Sequence, residues 1–518
     1  MTKLFFKVLL VSNLFLSAKV VSAQTSVTTI TNPDPSQPAN HFGQKVKLSP
    51  DGSTLVVSSP LQNVSVEGDS ANIQTFSGMV TVFRRNLEND PDHWEEIGTF
   101  LNNDENALFG VSLDISGDGN RIVIGIPQKE GLGIGYFQVH EYNSIANSWS
   151  QLLNTILPGT HRERIGGAVA ISDDGNTIVI GASKSNSPTG ILANGAVDIL
   201  VYNDSLFAYV YTQTLYPVWT QEGQNFGFDV DITGDGSMIA VGAPGYKSSN
   251  ISRGSISVYR KESDSYVVYG AKTGSSNQLS IGTNIALEKV DGDDVFMISG
   301  NYSLQRAQIY NVSQPLWTLL DPFDVEFGTP YYVTDVDINS EGTVVIGDRP
   351  TTAIPFEGLG RVNWFEKQND SWVNSGTINA LSNGPDEGFG KSVSISNRNA
   401  TGDLFIAGGA PGGLPDPNTR YVRILRETSP FIAAPTSALE SSIFPNPAYD
   451  ELNILQLHEG DQIILLDEQG NKLYQTVVKR GQHDISVDIQ ELRLEPSIYY
   501  LKIYKENGEE NIKRVVIK

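Results

Sequence analysis

Between residues 42 and 425 the chain is a succession of short apolar runs separated by glycine, aspartate, asparagine or serine. One unit recurs. It opens on an aromatic–glycine pair, as in Phe226-Gly227, then alternates polar and apolar positions through Asp229-Val230-Asp231-Ile232. Thr233-Gly234-Asp235-Gly236 follows, and then the apolar run Met238-Ile239-Ala240-Val241. Alternation at period two predicts a strand with one buried face, and Asp-Gly is the dipeptide that a tight hairpin needs. Copies open at Phe42-Gly43, Phe109-Gly110, Ile165-Gly166, Phe226-Gly227, Ile281-Gly282 and Phe389-Gly390, with a degenerate one centred on Asp335-Val336-Asp337-Ile338. The apolar residue before each turn, from Leu48 to Ile395, recurs with a mean period of about 58 residues.

Each unit carries further strand signals. A third strand opens on glycine and alternates, as in Gly78-Met79-Val80-Thr81-Val82-Phe83 and Gly254-Ser255-Ile256-Ser257-Val258-Tyr259. A fourth is led by an aromatic residue: Trp94, Trp149, Tyr209, Tyr266, Trp317 and Trp372. Four strands in each of seven units predict an all-β chain built as a seven-bladed β-propeller. The seventh copy has no fourth strand of its own, while Ser26-Val27-Thr28-Thr29-Ile30 precedes the first aromatic–glycine pair. The N-terminal strand is therefore expected to complete the last blade and close the ring, leaving no unpaired edge at the seam.

The two ends differ from this pattern. Lys3 and Lys7 precede an apolar run over Val8–Ala18, and Val21-Ser22-Ala23 offers small residues for cleavage, which predicts a signal peptide over 1–23. That run is too short to span a membrane, and no later segment reaches about 18 apolar residues. The propeller is expected over 24–427 and a linker over 428–440, where Ser429-Pro430 and Pro435-Thr436-Ser437 fall. Over 441–518, short alternating strands such as Ile498-Tyr499-Tyr500-Leu501-Lys502-Ile503-Tyr504 predict a small C-terminal β-sandwich.

Composition narrows the functions. The chain has 518 residues, a net charge of −23 and no cysteine. A thiol nucleophile, a disulfide framework and a cysteine-ligated metal are excluded. Nucleic acid as a partner is disfavoured, because phosphate-backbone binding needs a basic surface.

Two resemblances follow from the motifs. The C-terminal segment carries Phe444-Pro445-Asn446-Pro447, an apolar strand before Asp467-Glu468-Gln469-Gly470, the Ile498–Ile503 strand and the basic ending Lys513-Arg514-Val515-Val516-Ile517-Lys518. It resembles the C-terminal sorting domain of type IX (Por) secretion of Bacteroidetes, with Pro496-Ser497 where that family has glycine. The resemblance implies handling of residues 441–518 by the type IX machinery and a secreted or outer-surface location. The repeat resembles the FG-GAP repeat of integrin-type propellers across about 24–427, best in Gly227–Pro244. That resemblance supports the blade count and transfers no ligand.

The FG-GAP resemblance also raises calcium, which the family can hold through alternate oxygens of the first turn. Asp231, Thr233 and Asp235 are the candidates in the fourth copy, and Asp291, Asp293 and Asp294 form the densest acidic turn. Ile239 stands where the last carboxylate would be, and Lys47 in the first copy would repel a cation. Plain hairpin chemistry explains these turns better, and calcium is the one cofactor left open. Nothing marks a catalytic set: the histidines (His41, His93, His140, His161, His458, His483) are scattered, and no nucleophile elbow or phosphate loop occurs. Periodic aromatics read as blade packing, and Trp219 and Tyr331-Tyr332 stand off the common pattern as exposed candidates for stacking on sugars. The expected role is non-enzymatic binding or adhesion through propeller loops, to glycan or protein. A polysaccharide hydrolase or lyase with hub carboxylates and a ligand-free structural protein are the alternatives.

Overall fold

The computed structural model describes residues 24–517 apart from short stretches, the longest being 156–162, 321–330, 351–359, 413–419 and 429–441. The expected signal peptide and nearly all of the expected linker lie outside the described residues. The described chain is all β, with strands and turns and no helix. Contacts divide it into two units, Ser22–Pro430 and Phe431–Lys518.

In the first unit the described strands form seven four-stranded antiparallel sheets, one for each sequence copy. Their innermost strands are Val46–Leu48, Ser112–Ile115, Ile165–Ile171, Val230–Ile232, Asn284–Val290, Tyr331–Ile338 and Val393–Ile395, and we number the sheets 1 to 7 in that order. Each innermost strand lies against that of the next sheet, and Val393–Ile395 of sheet 7 lies against Val46–Leu48 of sheet 1. Sheet 7 takes its outermost strand from the N-terminus. Gln24–Thr31 pairs antiparallel with Tyr421–Thr428, Gln24 opposite Thr428 and Thr31 opposite Tyr421.

In sheets 1 to 4 the turn after the innermost strand is built by two side chains. The hydroxyl oxygens of Ser49, Ser116, Ser172 and Thr233 accept the backbone N–H five residues on, from Thr54, Arg121, Thr177 and Met238 at 2.9–3.1 Å. Those hydroxyls in turn donate to Asp51, Asp118, Asp174 and Asp235 at 2.5–2.8 Å. The glycine after the aspartate takes a left-handed conformation, with φ of 69° at Gly119, which any side chain would strain.

The aromatic–glycine pair joins one sheet to the next. Phe109 of sheet 2 is fully buried and forms a parallel bridge with Gly78, where the third strand of sheet 1 begins. A Cβ at Gly78 would lie 2.4 Å from the Phe109 carbonyl oxygen. Gly195 with Phe226 and Gly254 with Ile281 repeat the bridge. Between sheets the cores are aliphatic side chains with a few aromatic rings; one holds Val56, Val80, Val82, Phe109, Leu113, Ile122 and Ile124. Each such side chain, fully buried, contributes about 1.5–3 kcal/mol.

The second unit has two sheets. One pairs Ser442–Phe444, Glu451–Leu455 and Asp484–Asp488; the other orders Lys472–Val477, Gln462–Leu466, Ser497–Tyr504 and Glu510–Ile517. Leu452, Ile454 and Val487 of the first share a core with Ile463, Leu465, Leu501, Ile503 and Val515 of the second.

Candidate functional site

The innermost strands run along a common channel, and alternation sends every second side chain of each strand into it. The channel is ionic. Lys45 and Lys47 of sheet 1 enter it beside Asp114 of sheet 2, Asp229 and Asp231 of sheet 4, and Asp335 and Asp337 of sheet 6. Lys45 Nζ lies 3.3 Å from Asp335, and Lys47 Nζ lies 3.4 Å from Asp337 and 3.8 Å from Asp114.

Each of these carboxylates also accepts a backbone N–H from the neighbouring sheet. An innermost strand has one edge without a strand partner, and its buried N–H groups need acceptors. Asp114 Oδ2 accepts from Ile171 at 2.9 Å, Asp229 Oδ2 from Ile285 at 2.7 Å and Asp231 Oδ2 from Leu287 at 2.6 Å. Asp335 Oδ2 and Asp337 Oδ2 accept from Val393 and Ile395, both at 3.1 Å, and from the hydroxyls of Ser392 and Ser394. Ser392 Oγ and Ser394 Oγ then accept from Val46 and Leu48 across the seam at 3.2 and 3.0 Å. On the face of the turns the backbone continues the pattern: Asn397 N–H donates to Pro50, Asp51 to Gly117, Gly117 to Asp173, and Asp173 to Gly234.

Five aspartates share two ammonium groups. Burial raises Asp229 to about 6 and holds Asp231 well above the usual carboxylate range. Nearer the turns, burial lifts Asp173 to about 6 and Glu288 to about 8. Burial alone would lower the Lys47 ammonium, but Asp337, Asp114 and Asp231 around it push it well above its ordinary value. Two small cavities, of about 50 and 70 Å³, remain between these groups. They have room for only a few waters and fall far short of the roughly 300 Å³ of a small-molecule pocket.

Of the calcium candidates, Asp231 is held apart from Thr233 and Asp235. Asp231 faces the channel on the Leu287 N–H, whereas Thr233 and Asp235 hold each other in the turn, where Asp235 also accepts from Ser237 N–H at 2.9 Å. Asp294 bonds Asn311 at 3.0 Å, and Asp291 and Asp293 lie outside the described residues. No group of three or more carboxylates or histidines with metal-binding geometry occurs among the described residues. Lys47, read from the sequence only as hostile to a cation, is the centre of the channel. Aligning the seven copies on the apolar residue before each turn, and reading three and one positions before it, would have located Lys45, Asp229, Asp335 and Lys47, Asp114, Asp231, Asp337 as two layers of it.

The aromatics divide into two groups. Trp149 of sheet 2 packs where a Cβ on Gly98 of sheet 1 would be, and Trp317 of sheet 5 does the same at Gly270 of sheet 4. Trp372 Nε1 donates to Gly342 at 3.0 Å, and the Tyr209 hydroxyl donates to the Gly175 carbonyl. These are packing residues. His140 is also buried, stacked on Phe100 at 4.1 Å, with its pKa lowered by burial to about 4. Trp219 lies instead on a loop, half-buried against Tyr246 with ring centroids 5.5 Å apart. Tyr332 is half-buried at a strand start, and the Tyr331 side chain lies outside the described residues.

Residues 442–518 match the family model of the secretion system C-terminal sorting domain. The protein is thus handled by the type IX machinery and belongs at the cell surface or in the extracellular space. No curated protein matches the chain. Among solved structures it is similar to U3-55K, at 12% identity and a TM-score of 0.46, over 77% of this chain and 98% of that one. It is also similar to PorZ, a bacterial surface component of the type IX secretion system of Porphyromonas gingivalis. There the identity is 14% and the TM-score 0.41, over 92% of this chain and 59% of that one. No helix among the described residues is long and apolar enough to cross a membrane.

Proposed function

We propose that this is an exported seven-bladed β-propeller of FG-GAP type, closed by its N-terminal strand, that binds glycan or protein at the bacterial surface without catalysis. Residues 1–23 are its signal peptide, 24–427 its binding ring, and 441–518 its export signal. The cyclic contact of the seven innermost strands and the pairing of Gln24–Thr31 with Tyr421–Thr428 support the ring. The observation that carries the binding role is the engagement of the channel carboxylates. Hydrolysis of a glycoside needs two carboxyl groups flanking a sugar, with space between them. Here Asp114, Asp229, Asp231, Asp335 and Asp337 each hold a backbone N–H of the next sheet, around cavities of about 50 and 70 Å³. Binding is therefore assigned to the loop faces.

One observation favours the hydrolase alternative: Glu288 and Asp173 line the same end of the channel with raised proton affinities, as a general acid would. A glycan-array screen run beside polysaccharide-release assays separates the two readings. Array signal without release is expected, and release of sugars would overturn the proposal.

A further inference from the structure

The loops where sheets 3 and 4 meet form a surface of a different character from the channel. Three segments converge there: 183–195, 216–229 and 244–254, the last with its own short hairpin pairing Lys247 with Ser252 and Ser248 with Ile251. They are tied by hydrogen bonds rather than by a hydrophobic core. Gln224 Nε2 donates to Asn194 Oδ1 and to the Trp219 carbonyl, both at 2.7 Å. Gln221 clamps the hairpin, accepting from Lys247 N–H at 2.6 Å and donating to the Lys247 carbonyl at 3.1 Å. Gly223 N–H donates to Leu192, and Gly245 N–H donates to Gln224. A Cβ on Gly245 would lie 2.2 Å from the Gly223 carbonyl oxygen, so the loops meet backbone to backbone.

This frame carries the Trp219–Tyr246 pair, its rings tilted by 38°, and, on the same two hydrogen-bonded loops, an open depression of about 520 Å³ lined by Gln221, Glu222, Gly223, Lys247, Ser249 and Asn250. The volume lies in the range of about 300–1,000 Å³ typical of ligand sites. Among the described residues, neither the Trp219 indole N–H nor the Tyr246 hydroxyl has a hydrogen-bond partner. The blade residues Tyr209, Tyr266 and Trp372 all donate to backbone carbonyls.

We infer that this surface, on the binding reading proposed above, is a subsite for a neutral glycan. The apolar C–H face of a sugar ring carries partial positive charge and stacks on the negative face of an aromatic ring. The rim supplies what hydroxyls need: acceptors at Glu222 and Asn250, donors at Lys247, Ser249 and the Asn250 amide. The carboxylate at Glu222 and the net charge of −23 disfavour polyanions such as uronates and sulfated glycans. Because the loops are pinned, ordering them costs little on binding.

The test is affinity electrophoresis of the full secreted chain in gels containing mannan, xyloglucan or hydroxyethylcellulose, with alginate as the polyanionic comparison. At least one neutral polysaccharide should retard the chain. Trp219→Ala and Tyr246→Ala should each weaken retardation at least tenfold with melting unchanged, and Trp219→Phe should restore part of it. Should the ring variants misfold, Glu222→Gln with Asn250→Ala at the exposed rim gives the same reading and should also weaken retardation. Ile145→Ser, on a turn that is 98% exposed, should leave it unchanged. Retardation that survives all the subsite variants would overturn the subsite and leave the binding role standing. Retardation confined to alginate and abolished by salt would overturn the neutral-glycan assignment. No retardation in any gel, together with a silent array, would overturn both.

Discussion

The Lys47 ammonium of sheet 1 sits 3.4 Å from the Asp337 carboxylate of sheet 6, a residue 290 positions away in sequence. The contact ties sheet 1 to sheet 6 within the channel.

Removing that ammonium leaves Asp337, Asp114 and Asp231 facing one another. Breaking a buried pair by deleting one partner costs about 3–5 kcal/mol, and Lys47, with 27% of its side chain still accessible, should fall at or below the lower end. Lys47→Met is expected to lower the melting temperature clearly, and adding Asp337→Asn should recover part of the loss. A Lys47→Met variant that melts like the parent would contradict a stabilising role for this ion pair.

The pH dependence has a definite sign. Asp229 and Glu288 bind protons more tightly folded than unfolded, with values near 6 and 8 against ordinary values of 3.8 and 4.5. A raised folded value means stability that is complete below the unfolded value and lost as pH rises through the folded one. Melting temperature should therefore decline from about pH 5 towards pH 8. Glu288→Gln should flatten the upper part of that decline in calorimetric scans, and a rise over the same interval would contradict the burial of these groups.

The seam can be locked covalently. Thr29 pairs with Arg423 between the N-terminal strand and the last repeat strand, and directly opposed residues lie within disulfide reach. The chain has no cysteine, so Thr29→Cys with Arg423→Cys has no competing partner. Oxidation should give a single cross-linked species of altered gel mobility and higher melting temperature. Two persistently free thiols would show that the strand lies elsewhere.

At Gly78 a side chain would displace Phe109 from the sheet it docks on. Gly78→Val should destabilise the fold by an amount comparable to deleting that phenylalanine, about 3–5 kcal/mol, measured by denaturant unfolding. Retained stability would mean that the bridge does not hold the sheets together.

Much of this architecture is local and so was open to reading from the chain. Phe109-Gly110, Asp118-Gly119 and the alternation between them encode a strand, a turn and a docking point within a dozen residues. The channel is different. Lys47 reads as an odd cation in a turn, and its partners become visible only when seven copies are wrapped so that residues hundreds of positions apart share a layer. Asp231, Thr233 and Asp235 are separated for a local reason. Asp231 still belongs to the strand and faces the channel, whereas Thr233 has begun the turn and bends back to Met238. Three oxygens in alternation therefore serve two places. Trp219 stood out because it breaks the repeat, but its partner Tyr246 comes from a different loop and carried no signal.

The turns give a further expectation. With the Asp235 side chain on Ser237 and Thr233, calcium or a chelator should leave the melting temperature unchanged. Asp235→Asn, which keeps an acceptor oxygen, should be milder than Asp235→Ala. A calcium-dependent rise that Asp235→Ala abolishes would contradict the turn role.

The most direct measurement counts new reducing ends in a polysaccharide that retains the chain. Retention with a flat count is the predicted result. A count that rises with time, and that Glu288→Gln abolishes, would contradict binding without catalysis.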